Sequence, residues 1–125
     1  MVDHRHARRI KLMQQLFAQT FLPASALQDN LKEPDQQDAQ LKTLDQIITQ
    51  LPEIDLLIAK AAPERPLKDM NKLDLAVLRL IVFESRMKKT PVKVSINEAV
   101  ELAKEFGSDS SPRLVNGVLG TIFGL

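Results

Sequence analysis

The sequence predicts an all-α fold of about six to seven helices in a single domain covering residues 1–125. Three observations carry this expectation. Apolar residues recur at helical spacing, three or four positions apart. No Asn-Gly or Asp-Gly hairpin turn separates alternating runs, so nothing reads as a strand. Prolines at 23, 34, 52, 63, 66, 91 and 112 punctuate the chain, and helices fill the intervals.

The first predicted helix runs from about Asp3 to Phe21, with Leu12, Met13, Leu16 and Phe17 as its apolar stripe. A weaker element is expected over Ala24–Leu31. The stretch Asp35–Leu51 places Leu41, Leu44, Ile47, Ile48 and Leu51 on one face. Pro52 is then expected to restart a short helix with Ile54, Leu57 and Ile58, proline being tolerated in a first turn. Ala62-Pro63-Glu64-Arg65-Pro66 must break any helix and is read as the joint between a helical half at 1–66 and another at 67–125.

The second half is plainer. Asn71 can cap a helix whose interior, Leu73–Phe83, is apolar on nearly every side and is interrupted only by Asp74 and Arg79. This should be the central buried helix. Ser95-Ile96-Asn97-Glu98 has the form of a capping box opening a helix, with Ile96, Ala99, Val100, Ala103 and Phe106 inward and Gly107 at its C-cap. Ser111-Pro112 starts a last helix carrying Leu114, Val115, Val118, Leu119 and Ile122. Gly117, Gly120 and Gly124 are read as close packing against a neighbour, because the phosphate-loop pattern is absent. Asn116, flanked by apolar residues, is expected to be buried and hydrogen-bonded.

The residue inventory leaves no route to catalysis. There is no cysteine, so disulfides, thiol chemistry and cysteine-bound zinc are excluded, and a reducing cytosol suits the chain. His4 and His6 stand about 200° apart on a helix and cannot share a metal. No serine sits in a nucleophile turn. No metal or cofactor is expected. No signal peptide is visible, and no run reaches the roughly 18 to 20 apolar residues that span a bilayer, so a soluble cytoplasmic protein is expected.

Net charge is only +1, but it is segregated. Residues 1–11 carry four Arg or Lys against one Asp, residues 28–55 seven acids against two bases, and residues 56–125 eleven bases against eight acids. Arg5, Arg8 and Arg9 lie in the first two turns of a helix, where the macrodipole disfavours cations. Arg5, His6 and Arg9 continue the stripe that becomes Leu12, Met13, Leu16 and Phe17. The helix is therefore expected to overhang the core and present cations where its later turns present hydrophobes. Two readings stand: a solvated helix start, or an arginine-rich grip on phosphates and unpaired bases of single-stranded RNA. In the 107–113 loop, Ser108, Ser110 and Arg113 could accept an anion at a helix start, or simply cap that helix.

The block Val92–Gly107, followed by Ser108–Leu119, resembles the C-terminal signature of the NusB family. Ala76–Glu84 is similar to that family's central "ILR-x-x-x-x-E" helix. Arg5-His6-Ala7-Arg8-Arg9, with Gln14 and Leu16-Phe17, resembles its arginine-rich start and "Q-x-L-(Y/F)" segment. The resemblance implies two helical bundles packed side by side and no enzymatic activity. It further implies binding of boxA-type RNA together with the ribosomal protein NusE, within the RNA polymerase antitermination complex. Carried over, the RNA surface comprises Arg5, His6, Arg8, Arg9, Gln14, Ser108, Ser110 and Arg113. The NusE-facing side comprises Asp74, Arg79, Phe83 and Glu84. A pure protein-interaction module, for instance a homodimer covering its own basic surface, and a stand-alone relative of the RNA-targeting domain of an rRNA methyltransferase are the rival readings.

Overall fold

The computed structural model describes residues 4–21 and 38–125. Among them are five α-helices, a single 3-10 turn and no strand. They are α1 His4–Gln19, α2 Asp38–Ala61, α3 Lys72–Lys88, α4 Val92–Phe106 and α5 Ser111–Ile122, with the 3-10 turn at Leu67–Asp69. The count falls below the expected six to seven for two reasons. The element expected at Ala24–Leu31 lies outside the described residues. The two helices expected on either side of Pro52 are one.

Pro52 lies inside α2 without dividing it. A mid-helix proline removes one i→i−4 hydrogen bond and crowds the preceding turn. Yet the inward stripe passes it in phase: Leu44, Ile47, Leu51, Ile54 and Ile58 keep a three-four-three-four spacing, and all but the half-buried Leu51 are at most 1% exposed. Burial along one unbroken face outweighs the local cost, and the pyrrolidine ring itself faces solvent.

The helix α3 is the hub, packing against α1, α2, α4 and α5. Its residues Asp74 to Glu84, Arg79 apart, are all buried, as the all-round apolar pattern requires. Asn71 caps it: the Asn71 Oδ1 accepts hydrogen bonds from the Leu73 and Asp74 amides at 2.9 and 3.1 Å. The chain leaves α3 through Lys89, whose left-handed backbone (φ 50°, ψ 39°) is the C-cap conformation more usual for glycine. Buried residues from α1 through α5 join in one continuous core, with Met13 and Leu16 of α1 completely inaccessible.

Helix α4 starts four residues earlier than the capping-box pattern indicates. Its N-cap is Pro91, in extended conformation, and the Ser95 amide already donates to the Pro91 carbonyl at 3.0 Å. Ser95 is 3% exposed and faces inward, so the Ser-x-x-Glu spacing here is a helix interior. Gly107 is the C-cap, but in extended geometry. Its glycine requirement is spatial: a Cβ there would lie 2.5 Å from Ser111 Oγ and 2.7 Å from the Ala103 carbonyl oxygen. Gly117 and Gly120 do the reverse of what was expected, since a Cβ at either would meet nothing within 4 Å. Asn116, expected to be buried, is exposed on the same outward side of α5.

Candidate nucleic-acid interface

Helix α1 runs antiparallel to α3, so its basic start lies beside the C-terminal turns of α3. There Arg5, Arg8, Arg9, Leu12 and Thr43 form one wall of a groove of about 510 Å³, and Phe83, Glu84, Lys88, Lys89, Thr90, Pro91 and Val94 form the rest. Among the described residues, five cations and a single carboxylate line it. Lys88 and Lys89 were not singled out by the sequence. Their signal was the basic end of α3, where cations complement the helix dipole, followed by Thr90-Pro91 as a turn.

The cations of α1 do not share one role. Arg5 and Arg8 are exposed. Arg9, expected to be presented to solvent, is turned inward, with its side chain 13% exposed. Its Nε donates to both Glu84 carboxylate oxygens, at 2.8 and 3.1 Å, and its Nη1 lies 3.2 Å from Glu98 Oε2. His6 sits 3.4 Å through Nδ1 from Glu98 Oε2 and 3.1 Å through Nε2 from Glu105 Oε2. The Glu105 hydrogen bond raises the His6 pKa above its ordinary 6.5; partial burial opposes this, and Glu98 adds to the rise. The overhang of α1 thus exists, but acids from α3 and α4 cover its inner side. These partners stand 75 to 99 positions away in sequence, beyond the reach of any local pattern.

The remaining candidates fall elsewhere. Gln14 and Ser108 line a second groove of about 470 Å³, with Met13, Phe17, Leu73 and Phe106 as its apolar part. The Ser108 amide donates to Ser111 Oγ at 3.0 Å, and the Ser108 and Ser110 hydroxyls face each other at 3.2 Å. The serines of this loop are thereby engaged with one another, and Ser110 as N-cap makes no side-chain capping bond. Arg113 is exposed beyond it.

Of the four partner-facing candidates, Asp74, Phe83 and Glu84 are 3%, 2% and 7% exposed. Arg79, half-buried, makes a two-pronged ion pair with Asp55 of α2, at 2.9 and 2.8 Å. Burial raises the Asp74 pKa above its usual 3.8, while the Ser111 hydroxyl and the Arg65 charge pull it down. Among the described residues no group of His, Asp or Glu has the arrangement of a metal site. No described helix is long and apolar enough to cross a membrane.

The sequence profile of the NusB family matches residues 2–123. The chain belongs to the NusB family. Its fold agrees: NusB of T. maritima superposes with a TM-score of 0.81 at 28% identity, over 98% of this chain and 92% of that one. Among relatives, a protein of Chloroflexus aggregans named transcription antitermination protein NusB is 57% identical over 72 residues, which is 55% of this chain and 48% of the relative. One of the same name from Lachnoclostridium phytofermentans is 46% identical over 90 residues, 71% of this chain and 68% of the other. The aligned stretch spans about half the length of the Chloroflexus relative and of one from Herpetosiphon aurantiacus (48% and 51%). The all-helical NusB architecture expected from the sequence is the architecture found.

Proposed function

We propose that this NusB-family chain is a non-enzymatic, cytoplasmic RNA-binding factor of transcription antitermination, binding boxA-type single-stranded RNA together with the ribosomal protein NusE. The observation that carries the reading is the groove where the start of α1 meets the end of α3, with five cations against one carboxylate among the described residues. Guanidinium and ammonium groups so gathered suit a phosphate chain, and Arg5 and Arg8 can also stack on unpaired bases. The relatives' common name, transcription antitermination protein, points the same way.

Within the RNA surface, Arg5, Arg8, Lys88 and Lys89 are the direct phosphate contacts. Arg9 and His6 hold the helix that carries them. Gln14 and Ser108 on the second groove, with Ser110 and Arg113 near it, take a further part of the strand. For NusE, the α3 set acts mainly from beneath: Arg79, its side chain 12% exposed and paired with Asp55, fixes α3 against α2, and Asp74, Phe83 and Glu84 fix the helices around it. The RNA polymerase antitermination complex is the setting.

Fluorescence anisotropy with boxA-type and scrambled RNA, with and without NusE and across a salt series, tests this. Binding should weaken with salt at a logarithmic slope near −3, about 0.7 per phosphate for four contacts. Replacing Arg5, Arg8, Lys88 and Lys89 by Ala together should flatten that slope and weaken binding. Equal affinity of the fourfold variant, or a stable homodimer that ignores both NusE and RNA, refutes it.

A further inference from the structure

We propose that His6 is a positioning residue for the basic groove: held as an imidazolium between Glu98 and Glu105, it fixes the opening turns of α1, and affinity for a nucleotide strand falls as that proton leaves. The inference rests on the RNA-binding reading above, and it assigns His6 to the support of the site in place of a direct contact.

The geometry argues for the cation. Both ring nitrogens face carboxylate oxygens, Nδ1 towards Glu98 and Nε2 towards Glu105. A neutral imidazole has one N–H and would turn a lone pair towards the other carboxylate, whereas the imidazolium donates to both. Helix α1 also depends on this clasp. Its first turn contains no acid, and its cations oppose its own dipole. His6 and Arg9 both tie the opening turns to α3 and α4.

The charges around His6 can be named element by element. Helix α4 supplies Glu98 and Glu105. Helix α3 supplies Glu84, gripped by Arg9 and approached by Lys88 at 4.0 Å. Helix α1 itself supplies Arg9 one turn on, which shares Glu98 with His6. Helix α2 meets this end of α1 through Thr43, on the groove side with Arg5 and Arg8, and brings no described charge to His6. Among these named groups, three carboxylates face three cations when His6 is protonated. Without that proton one carboxylate is left uncompensated beside α1. Histidine is the side-chain type that ordinarily changes charge near neutrality, so His6 is the titrating member.

The sign follows from linkage. A histidine whose folded pKa is raised stabilises the folded arrangement fully below its unfolded value of 6.5, and this stabilisation is lost as pH rises through the raised value. The opening turns of α1 should therefore loosen, and Arg5 and Arg8 leave the groove wall, on the alkaline side.

The test uses the full chain in two measurements at constant ionic strength. In the RNA-free protein, histidine NMR gives the His6 titration, and amide exchange of residues 8–11, whose N–H groups bond back to the carbonyls of the opening turns, reports the order of α1 once corrected for intrinsic base catalysis. In parallel, anisotropy with boxA-type RNA is followed from about pH 6 to about pH 8.5, where affinity should fall about three- to tenfold. His6→Gln should flatten both pH profiles, and Glu105→Gln should move both midpoints to lower pH. Amide exchange that stays level through the His6 titration while affinity still changes makes His6 a direct ligand and overturns the proposal. A pH profile unaltered in His6→Gln overturns it as well. Absence of RNA binding at every pH refutes the RNA reading by itself, since exchange and titration still judge the clasp.

Discussion

Replacing Arg9 by Met should unfold the protein more readily than any change at Arg5 or Arg8, although all three belong to the same basic run. The Arg9 and Glu84 side chains are 13% and 9% exposed, and they meet through two Nε contacts of 2.8 and 3.1 Å. Methionine fills much of the aliphatic volume but leaves Glu84 buried, with Lys88 at 4.0 Å its one remaining cation among the described residues. Removing one partner of a buried pair costs about 3–5 kcal/mol. The lower end applies here, because Glu98 keeps contact with water and Lys88 can move closer. For a chain of this size a loss of about 3 kcal/mol lowers Tm by about 10 °C. Thermal denaturation followed by circular dichroism measures it, with Arg8→Ala as control, expected within about 0.5 kcal/mol of the parent. Adding Glu84→Leu to Arg9→Met should recover most of the loss, because no unpaired carboxylate then remains buried. A single Arg9→Met variant melting with the parent would refute the structural role of this pair and return Arg9 to the RNA surface.

Two further expectations concern stability. Gly107→Ala should destabilise by about 1–3 kcal/mol through overpacking against Ser111, whereas Gly117→Ala, facing open space on α5, should stabilise by about 0.5–1 kcal/mol; chemical denaturation of the two variants separates these signs. Asp74 has its pKa raised chiefly by burial, so its charge works against folding above the usual 3.8 and not below it. The stability difference between Asp74→Asn and the parent should accordingly shift in favour of Asn as pH climbs from about 4 towards neutrality, and a difference constant with pH argues against it.

What could be read in advance follows the range of the interactions involved. Helix α3 was legible because an apolar surface on every side, opened by a capping Asn71, leaves no other place for a helix than the interior. The start of α4 was misplaced because Ser95 and Glu98 satisfy the local form of a capping box, while the true start depends on Pro91 and on Ser95 being small enough to bury. At Pro52 a local penalty was given more weight than the in-phase stripe Leu44, Ile47, Leu51, Ile54 and Ile58, which was visible on both sides of it. The outward glycines Gly117 and Gly120 could not be told from packed ones without knowing which side of α5 faces α4. The site was half legible. Local composition marks Arg5 and Arg8 as cations, but the diversion of Arg9 and His6 depends on three glutamates contributed by distant helices.

The junction around Gly107 bears on how such chains can diverge in length. Within five positions the Gly107 amide returns to the Ala103 carbonyl, the Ser108 amide reaches the Ser111 hydroxyl, and the Ser111 amide reaches the Ser108 carbonyl. With Ser111 fully buried, a single inserted residue would pull these reciprocal bonds out of register and swing the last helix off its seat. The 62–66 stretch carries one backbone bond of its own, from the Arg65 amide to the Ala62 carbonyl, and four solvent-facing residues. Extra residues, affinity tags or new chain ends are better accommodated there.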